Sequence, residues 1–352
     1  MADPELATRA PESDAAEDND DLVVSSAPPP AYTPSASTSA NPSSPNPAPA
    51  LCDDCVTDRP TPEGAATKGE LTKLNGVDAY ISKPPSYPST PARLLLLLTG
   101  GTGLLSVNNQ LQADLFAREG YVVVMPDLFS GDPAPNSKAT TEVASEIQQE
   151  ANNSFLDLFK FKAVETAKSF LIDMWLARHT EEKVLPILHK VLEGAKDEFA
   201  DAQVHGGGVY AVGYCFGGRY VLLLAKEKKK AGGTTSKGGE EDVEANAGKA
   251  EEEGEPYIKA GALAHATLVS TEDFVGLKAP VSLVSVESDP LFPDEVRERG
   301  EDLMREGGVE HEVQVYPGVP HGFAVVGEYE DSNIKTAQAT AYEQMLKWIQ
   351  DH

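Results

Sequence analysis

The sequence predicts an α/β fold: a mostly parallel central sheet with helices on both faces. Three observations carry this expectation. From about residue 64 onward, short apolar runs alternate with amphipathic stretches. Some of these runs, such as Leu94 to Leu98, are apolar throughout, as strands buried on both faces of a parallel sheet must be. Gly-, Pro- and Asp-rich turns separate the runs, and strand, helix, strand is the order of a βαβ unit.

Taken in order, Val77 to Ser82 reads as an edge strand and Leu94 to Thr99 as a buried one. A helix over Asn109 to Glu119 and a strand over Tyr121 to Met125 complete the first unit. Helices follow at Phe161 to Leu176 and Glu182 to Phe199, and His205-Gly206-Gly207-Gly208 makes a turn before the strand Val209 to Gly213. Arg219 to Lys226 is compatible with a helix. Later strands are expected at Ala260 to Ala264, Val281 to Val286 and His311 to Tyr316, with helices at Pro293 to Glu306 and Lys335 to Gln350.

Two stretches fall outside this pattern. Residues 1–50 are dominated by Ala, Pro, Ser and Asp and hold too little apolar surface to repay ordering, so they are expected to form a disordered tail. A run from Lys228-Lys229-Lys230 to the acidic residues Glu240 to Glu255 reads as a low-complexity insertion, 226–256, in a single domain spanning 51–352. Both are expected to be dispensable for folding.

The formal net charge of -27 argues against nucleic acid as a partner, because phosphate binding needs clustered Lys and Arg. The acidic N-terminus lacks the basic and apolar regions of a signal peptide, and Leu94 to Leu98 is far shorter than the ~20 residues of a membrane span. A cytoplasmic chain without a membrane partner is expected. The cysteines Cys52, Cys55 and Cys215 are too few for a disulfide framework. Cys52-Asp53-Asp54-Cys55 has no second pair or nearby histidines, so it reads as two local thiols, with no metal or cofactor expected.

The chemistry is carried by three loops that follow strands. Gly213-Tyr214-Cys215-Phe216-Gly217 lies between a β-rich run and a helical one, the setting of a nucleophile elbow. There Cys215 sits at a helix N-terminus that favours thiolate. A thiol nucleophile needs a base, and the base needs a carboxylate to orient it. Asp289 follows the strand ending at Val286, with Glu287 as a competing acid expected still within the strand, and His321 lies in the turn-rich loop after Tyr316, giving the order nucleophile, acid, histidine. The N–H groups of Phe216 and Thr102 are the expected oxyanion donors. His179, His189, His205, His311 and His352 read as solvated, whereas His265 follows a strand and could line the pocket, with backbone satisfaction of its ring the nearer expectation.

These residues resemble the dienelactone hydrolases of the α/β-hydrolase superfamily. The matching segments are Gly213-Tyr214-Cys215-Phe216-Gly217-Gly218, Asp289-Pro290-Leu291-Phe292-Pro293 and His321-Gly322-Phe323-Ala324. Gly120 to Phe129 is similar to the family's second strand and turn, and Cys52 to Cys55 to the start of its fungal-type branch. The resemblance implies an α/β-hydrolase fold, a Cys215–His321–Asp289 triad, a pocket including Phe323, and a small ester or lactone as substrate. It also exposes two departures. The family's acidic residue beside the thiol aligns here with Gly101, and its substrate-binding arginine after H-G-F with Val325 and Val326. Small neutral substrates are therefore expected over anions, unless Arg219 or Lys162 supplies a cation.

Two alternatives remain open at this point. Gly101 keeps alive a hydrolase-like binding protein that has lost turnover. The Gly-rich loop 99–106, with Asp127 after the next strand, approaches the pattern of an NAD(P)-binding reductase, although Ser106 replaces its last glycine.

Overall fold

Alternation along the leucine-rich strand shows how the layers are built. Leu94, Leu96 and Leu98 belong to one hydrophobic cluster and Leu95 and Leu97 to another, all fully buried. Both faces of the strand are thus covered, the requirement of a parallel sheet with helices on each side. Val122 and Val124 join the first cluster, Val123 and Met125 the second.

The computed structural model describes residues 51, 53–135, 170–228 and 254–352. Eight strands form one sheet: β1 (Glu70–Leu74), β2 (Val77–Ser82), β3 (Arg93–Leu98), β4 (Tyr121–Pro126), β5 (Val209–Tyr214), β6 (Ala260–Ala264), β7 (Val281–Val286) and β8 (His311–Tyr316). Their order is β1-β2-β4-β3-β5-β6-β7-β8. The β1–β2 and β2–β4 pairs are antiparallel and every later pair is parallel. Helices among the described residues include α1 (Asp53–Val56), α2 (Val107–Arg118), α3 (Glu181–Glu198), α4 (Ala200–Gly206), α5 (Phe216–Ala225), α6 (Asp294–Glu306) and α7 (Ser332–Asp351). Apolar residues of α2 and α7, such as Phe116 and Met345, pack in the second cluster, and those of α3, α5 and α6, such as Leu188, Val221 and Met304, in the first. This is the α/β-hydrolase fold.

Strands β2, β6, β7 and β8 span the expected residues, β4 and β5 each run one residue further, and β3 begins and ends one residue earlier than expected. Strand β1 was not expected. Four of its five residues are exposed, so it carries no apolar signal, and its place comes from pairing with β2 through a tight turn in which Asn75 has φ 48°. Of the helix expected at Phe161 to Leu176, residues 170–178 are helical and 161–169 lie outside the described residues. The tail 1–50 and most of the 226–256 insertion also lie outside them. The ends of the insertion are held together, with Glu227 bridged to Pro256. Among the described residues, no helix is long and apolar enough to cross a membrane.

Candidate active site

Strand β5 ends at Tyr214, and α5 begins two residues later, so the chain must reverse at Cys215. That residue takes φ 51° and ψ -119°, a strained conformation that costs about 1–3 kcal/mol and is held by its surroundings. Its N–H donates to the carbonyl of Ala264 at 3.1 Å, and its own carbonyl accepts from Gly218 and Thr267. Two glycines make the turn possible through close approach. A Cβ at Gly213 would lie 2.6 Å from the Gly217 carbonyl oxygen, and one at Gly217 only 2.2 Å from that of Leu98. Because both obstacles are backbone, Gly217→Ala is expected to destabilise by about 1–3 kcal/mol or more and to reduce turnover with it. A thermal melt within a degree of the parent would refute this account of the elbow.

The other two loops meet beside this turn. Asp289, three residues past β7, accepts from the N–H of Leu291 through Oδ1 at 2.9 Å, which fixes its carboxylate. Its Oδ2 lies 2.7 Å from Nδ1 of His321, and both side chains are buried. His321 Nε2 has no hydrogen-bond partner among the described residues. A ligating atom of His321 and the sulfurs of Cys215 and Cys55 all lie within 4.8 Å of one another. The thiol pKa of Cys215 is pulled well below its ordinary value, first by hydrogen bonding with Cys55. Burial opposes this shift, while His321 and the Phe216 N–H add to it. Burial works against a charged His321, but Asp289 and Cys215 outweigh it and raise its pKa.

Cys55 is the residue that sequence reasoning placed wrongly. A strap formed by α1 and the residues after it carries Cys55 to Cys215, and Cys52 lies outside the described residues. Four anchors hold the strap. Ser106 donates to Asp58 at 2.7 Å, Asn108 donates to the Arg59 carbonyl at 2.7 Å, Glu328 N–H donates to the Pro60 carbonyl at 2.8 Å, and the Arg59 guanidinium stacks over Tyr329. Asp58 also accepts from Thr102, and its pKa is raised by burial, with both hydroxyls opposing. Nothing in the spacing of two cysteines near a domain start signals contact with a residue 160 positions away.

The strap also corrects the assignment of the glycine loop. A Cβ at Gly100 would lie 3.0 Å from Cys215 Cβ and 3.5 Å from its sulfur, whereas one at Gly101 would meet the Cys55 carbonyl at 2.8 Å and Ala134 at 2.9 Å. Gly100, one residue earlier than expected, therefore faces the thiol, and Gly101 backs onto the strap. Thr102 lines the cavity above Cys215, and its hydroxyl oxygen accepts from Asn109 at 3.0 Å.

His265 lines the same cavity but is not satisfied by backbone. Its φ is 38°, and neither ring nitrogen has a partner among the described residues. Its ring centroid is 4.9 Å from that of His321, and burial, followed by the charge on His321, depresses its pKa well below the ordinary value. It is held neutral. Phe323 is fully buried against Tyr316 beneath the site, and Gly322, Val325 and Val326 form the cavity wall in its place. The cavity is narrow, about 30 Å³, and Asp58 and Arg59 also line it. Arg219 is not available to it, being bound to Asp273 at 2.8 Å and Glu181 at 2.7 Å. Lys162 lies outside the described residues.

The features suggesting a dinucleotide site are used otherwise. Ser106 caps α2 by accepting from Asn109 N–H, and the two carboxylate oxygens of Asp127 hold the N–H groups of Phe129 and Gly131. A larger cavity of about 460 Å³, lined by Leu71, Lys73, Leu105 and Asp127, holds no cysteine or histidine.

The chain is 28% identical over 286 residues to the hydrolase pyvD of Aspergillus violaceofuscus, covering 81% of this chain and 91% of that one. It is 27% identical over 282 residues to dienlactone hydrolase 1 of Gibberella moniliformis, covering 80% and 87%. Among solved structures, a candidate dienelactone hydrolase from Klebsiella pneumoniae superposes with a TM-score of 0.54 at 18% identity, covering 82% of this chain and all of that one. An esterase from Thermogutta terrifontis superposes with a TM-score of 0.50 at 14% identity, covering 81% and 96%, and these two structural likenesses speak to the fold. A sequence model of the dienelactone hydrolase family matches residues 77–352, which include the elbow, the acid and the histidine. The chain belongs to the dienelactone hydrolase family of ester and lactone hydrolases.

Proposed function

We propose that the protein hydrolyses small neutral esters or lactones through an acyl-enzyme on Cys215. The observation that supports this most is the 2.7 Å Asp289–His321 hydrogen bond beside a strained thiol at a helix N-terminus. In this reading the Cys215 thiolate attacks the substrate carbonyl carbon. Charge collects on the carbonyl oxygen, where the N–H groups of Phe216 and Thr102 receive it, each such donor contributing about 2.7–4 kcal/mol. His321 gives its Nε2 proton to the departing alkoxide as the intermediate collapses. Neutral His321 then takes a proton from water, the hydroxide so formed attacks the thioester, and Cys215 leaves as thiolate. Asp289 keeps Nδ1 protonated throughout, so Nε2 alone faces the reaction. Incubation with an aryl acetate, rapid acid quenching and mass analysis test this directly. An acetyl group on Cys215 is the expected result, and steady turnover with acylation at any other residue would overturn it.

The preference for neutral substrates follows from the cavity wall. Val325 and Val326 bring apolar side chains to the cavity lining, and Asp58 and Arg59, consecutive in the chain, bring a carboxylate and a guanidinium. An anion would meet no net positive field there, and forgoing a charged hydrogen bond worth about 1.5–3 kcal/mol corresponds to roughly a ten- to hundredfold preference. Measuring kcat/KM for a lactone bearing a free carboxylate and for its methyl ester checks the sign. Preference for the acid, abolished in Arg59→Gln, would reverse this conclusion and make Arg59 the selecting residue.

A further inference from the structure

We propose that Cys55, Cys215 and His321 form a chelating site for zinc and related thiophilic divalent cations, which reversibly closes the hydrolytic centre. The strap, the elbow and the loop after β8 bring one soft donor each to a common point, with all donor atoms within 4.8 Å of one another. Zinc bonds of about 2.3 Å to sulfur and about 2.0 Å to nitrogen place tetrahedral ligand atoms about 3.5–3.8 Å apart. Each donor therefore needs to move by no more than about 1 Å, within the reach of a side-chain rotation.

Independent features of the surroundings favour a metal. All three residues are buried, and His321 Nε2 has no hydrogen-bond partner among the described residues. Nδ1 of the same ring is bonded to Asp289 at 2.7 Å, the carboxylate–histidine arrangement that orients metal-binding imidazoles and strengthens them as donors. The cavity beside Cys55 and Cys215, about 30 Å³, accommodates a single water as fourth ligand. Two thiolates, one imidazole and one open position make a complete tetrahedral zinc set.

Cys55 is what makes the site specific to this arrangement, since the other two ligands have a separate role in the proposed hydrolysis. Binding sends two protons to solvent, one from Cys55 and one from the Cys215–His321 pair, with no change of oxidation state. The bound cation occupies the lone pair with which Cys215 would attack and the nitrogen with which His321 would move a proton. Its binding needs only the cluster; its inhibitory effect rests on the proposed triad.

The experiment uses the full chain, reduced and freed of metal by chelation. Zinc is titrated against aryl acetate hydrolysis, and cadmium against the ultraviolet charge-transfer absorbance of thiolate–cadmium bonds. One cation per chain is expected, with hydrolysis lost in proportion to occupancy and restored by EDTA. Cys55→Ser is expected to weaken both cations by about a hundredfold or more, since even outer partners of a metal ligand are worth ten- to a hundredfold. Cys55→Ala serves if the serine variant does not fold. Cys52→Ser is expected to leave both titrations unchanged. Equal zinc potency in the Cys55 variants, or loss of binding in Cys52→Ser, overturns the site. A cadmium signal that depends on Cys55 in a protein without esterase activity would support the metal site while removing the hydrolase proposal, so the two fail separately.

Discussion

Cys215→Ala is expected to lower kcat/KM for a small aryl ester by about four to six orders of magnitude while leaving the fold in place. The size follows from what the sulfur does. In the proposed reaction it forms the only covalent bond to the substrate: Thr102 spends its hydroxyl on Asn109 and Asp58, and Cys55, the other thiol lining the cavity, sits on the strap and not at the N-terminus of α5. What survives is positioning and the oxyanion donors, which alone leave about 10³–10⁴-fold over water in comparable sites. The structural cost is small, because alanine retains the Cβ that packs on Gly100 and removes one buried sulfur. Cys215→Ser is expected to fall nearly as far, since a hydroxyl cannot be ionised by the interactions that depress the thiol pKa. Initial rates with circular dichroism of each variant check this, and a Cys215→Ala rate above about one hundredth of the parent would remove the nucleophile assignment.

How much of this was legible in the sequence depends on the range of the determining contacts. The parallel strands could be read because each is buried on both faces and so must be apolar along its length, as Leu94 to Leu98 is. The elbow could be read because close backbone approach at Gly213 and Gly217 forces glycine at fixed spacing around Cys215. Asp289 and His321 were legible through their places after strands, which the fold converts into proximity. Strand β1 was not, because its residues face solvent and its position is set by its partner. The strap was not legible either. Cys55 reaches Cys215 through long-range bonds such as Ser106 to Asp58 and Asn108 to Arg59, and no periodicity announces such contacts. The one-residue error at Gly101 has the same root: which of two adjacent glycines faces the thiol depends on where the loop turns, and the strap fills the space behind it.

Asp289→Asn is expected to reduce kcat by about 10⁴-fold and to narrow the pH profile from its alkaline side. The pH dependence follows from the directions of the two shifts. Attack needs Cys215 as thiolate and protonation of the leaving group needs His321 charged, so activity is lost as pH falls through the lower apparent pKa of the pair and again as it rises through the upper one. Cys215 is pulled down and His321 is pushed up, which opens a plateau between them. These limits belong to the coupled pair, the acid limb dominated by the thiol and the alkaline limb by the imidazole. Asparagine keeps the size of the side chain but removes the negative charge that stabilises imidazolium, so burial, which disfavours the charged ring, gains weight and the upper limit moves toward neutrality. It also offers its amide N–H₂ where a carboxylate oxygen stood, which favours the tautomer with the proton on Nε2 and turns the base away from its task. Measuring kcat/KM against pH for the parent and Asp289→Asn separates these effects from simple loss of packing, because a structural defect would lower the whole curve without moving its alkaline limb. An unchanged alkaline limb would show that Asp289 does not govern the protonation of His321, and the triad assignment would fall with it.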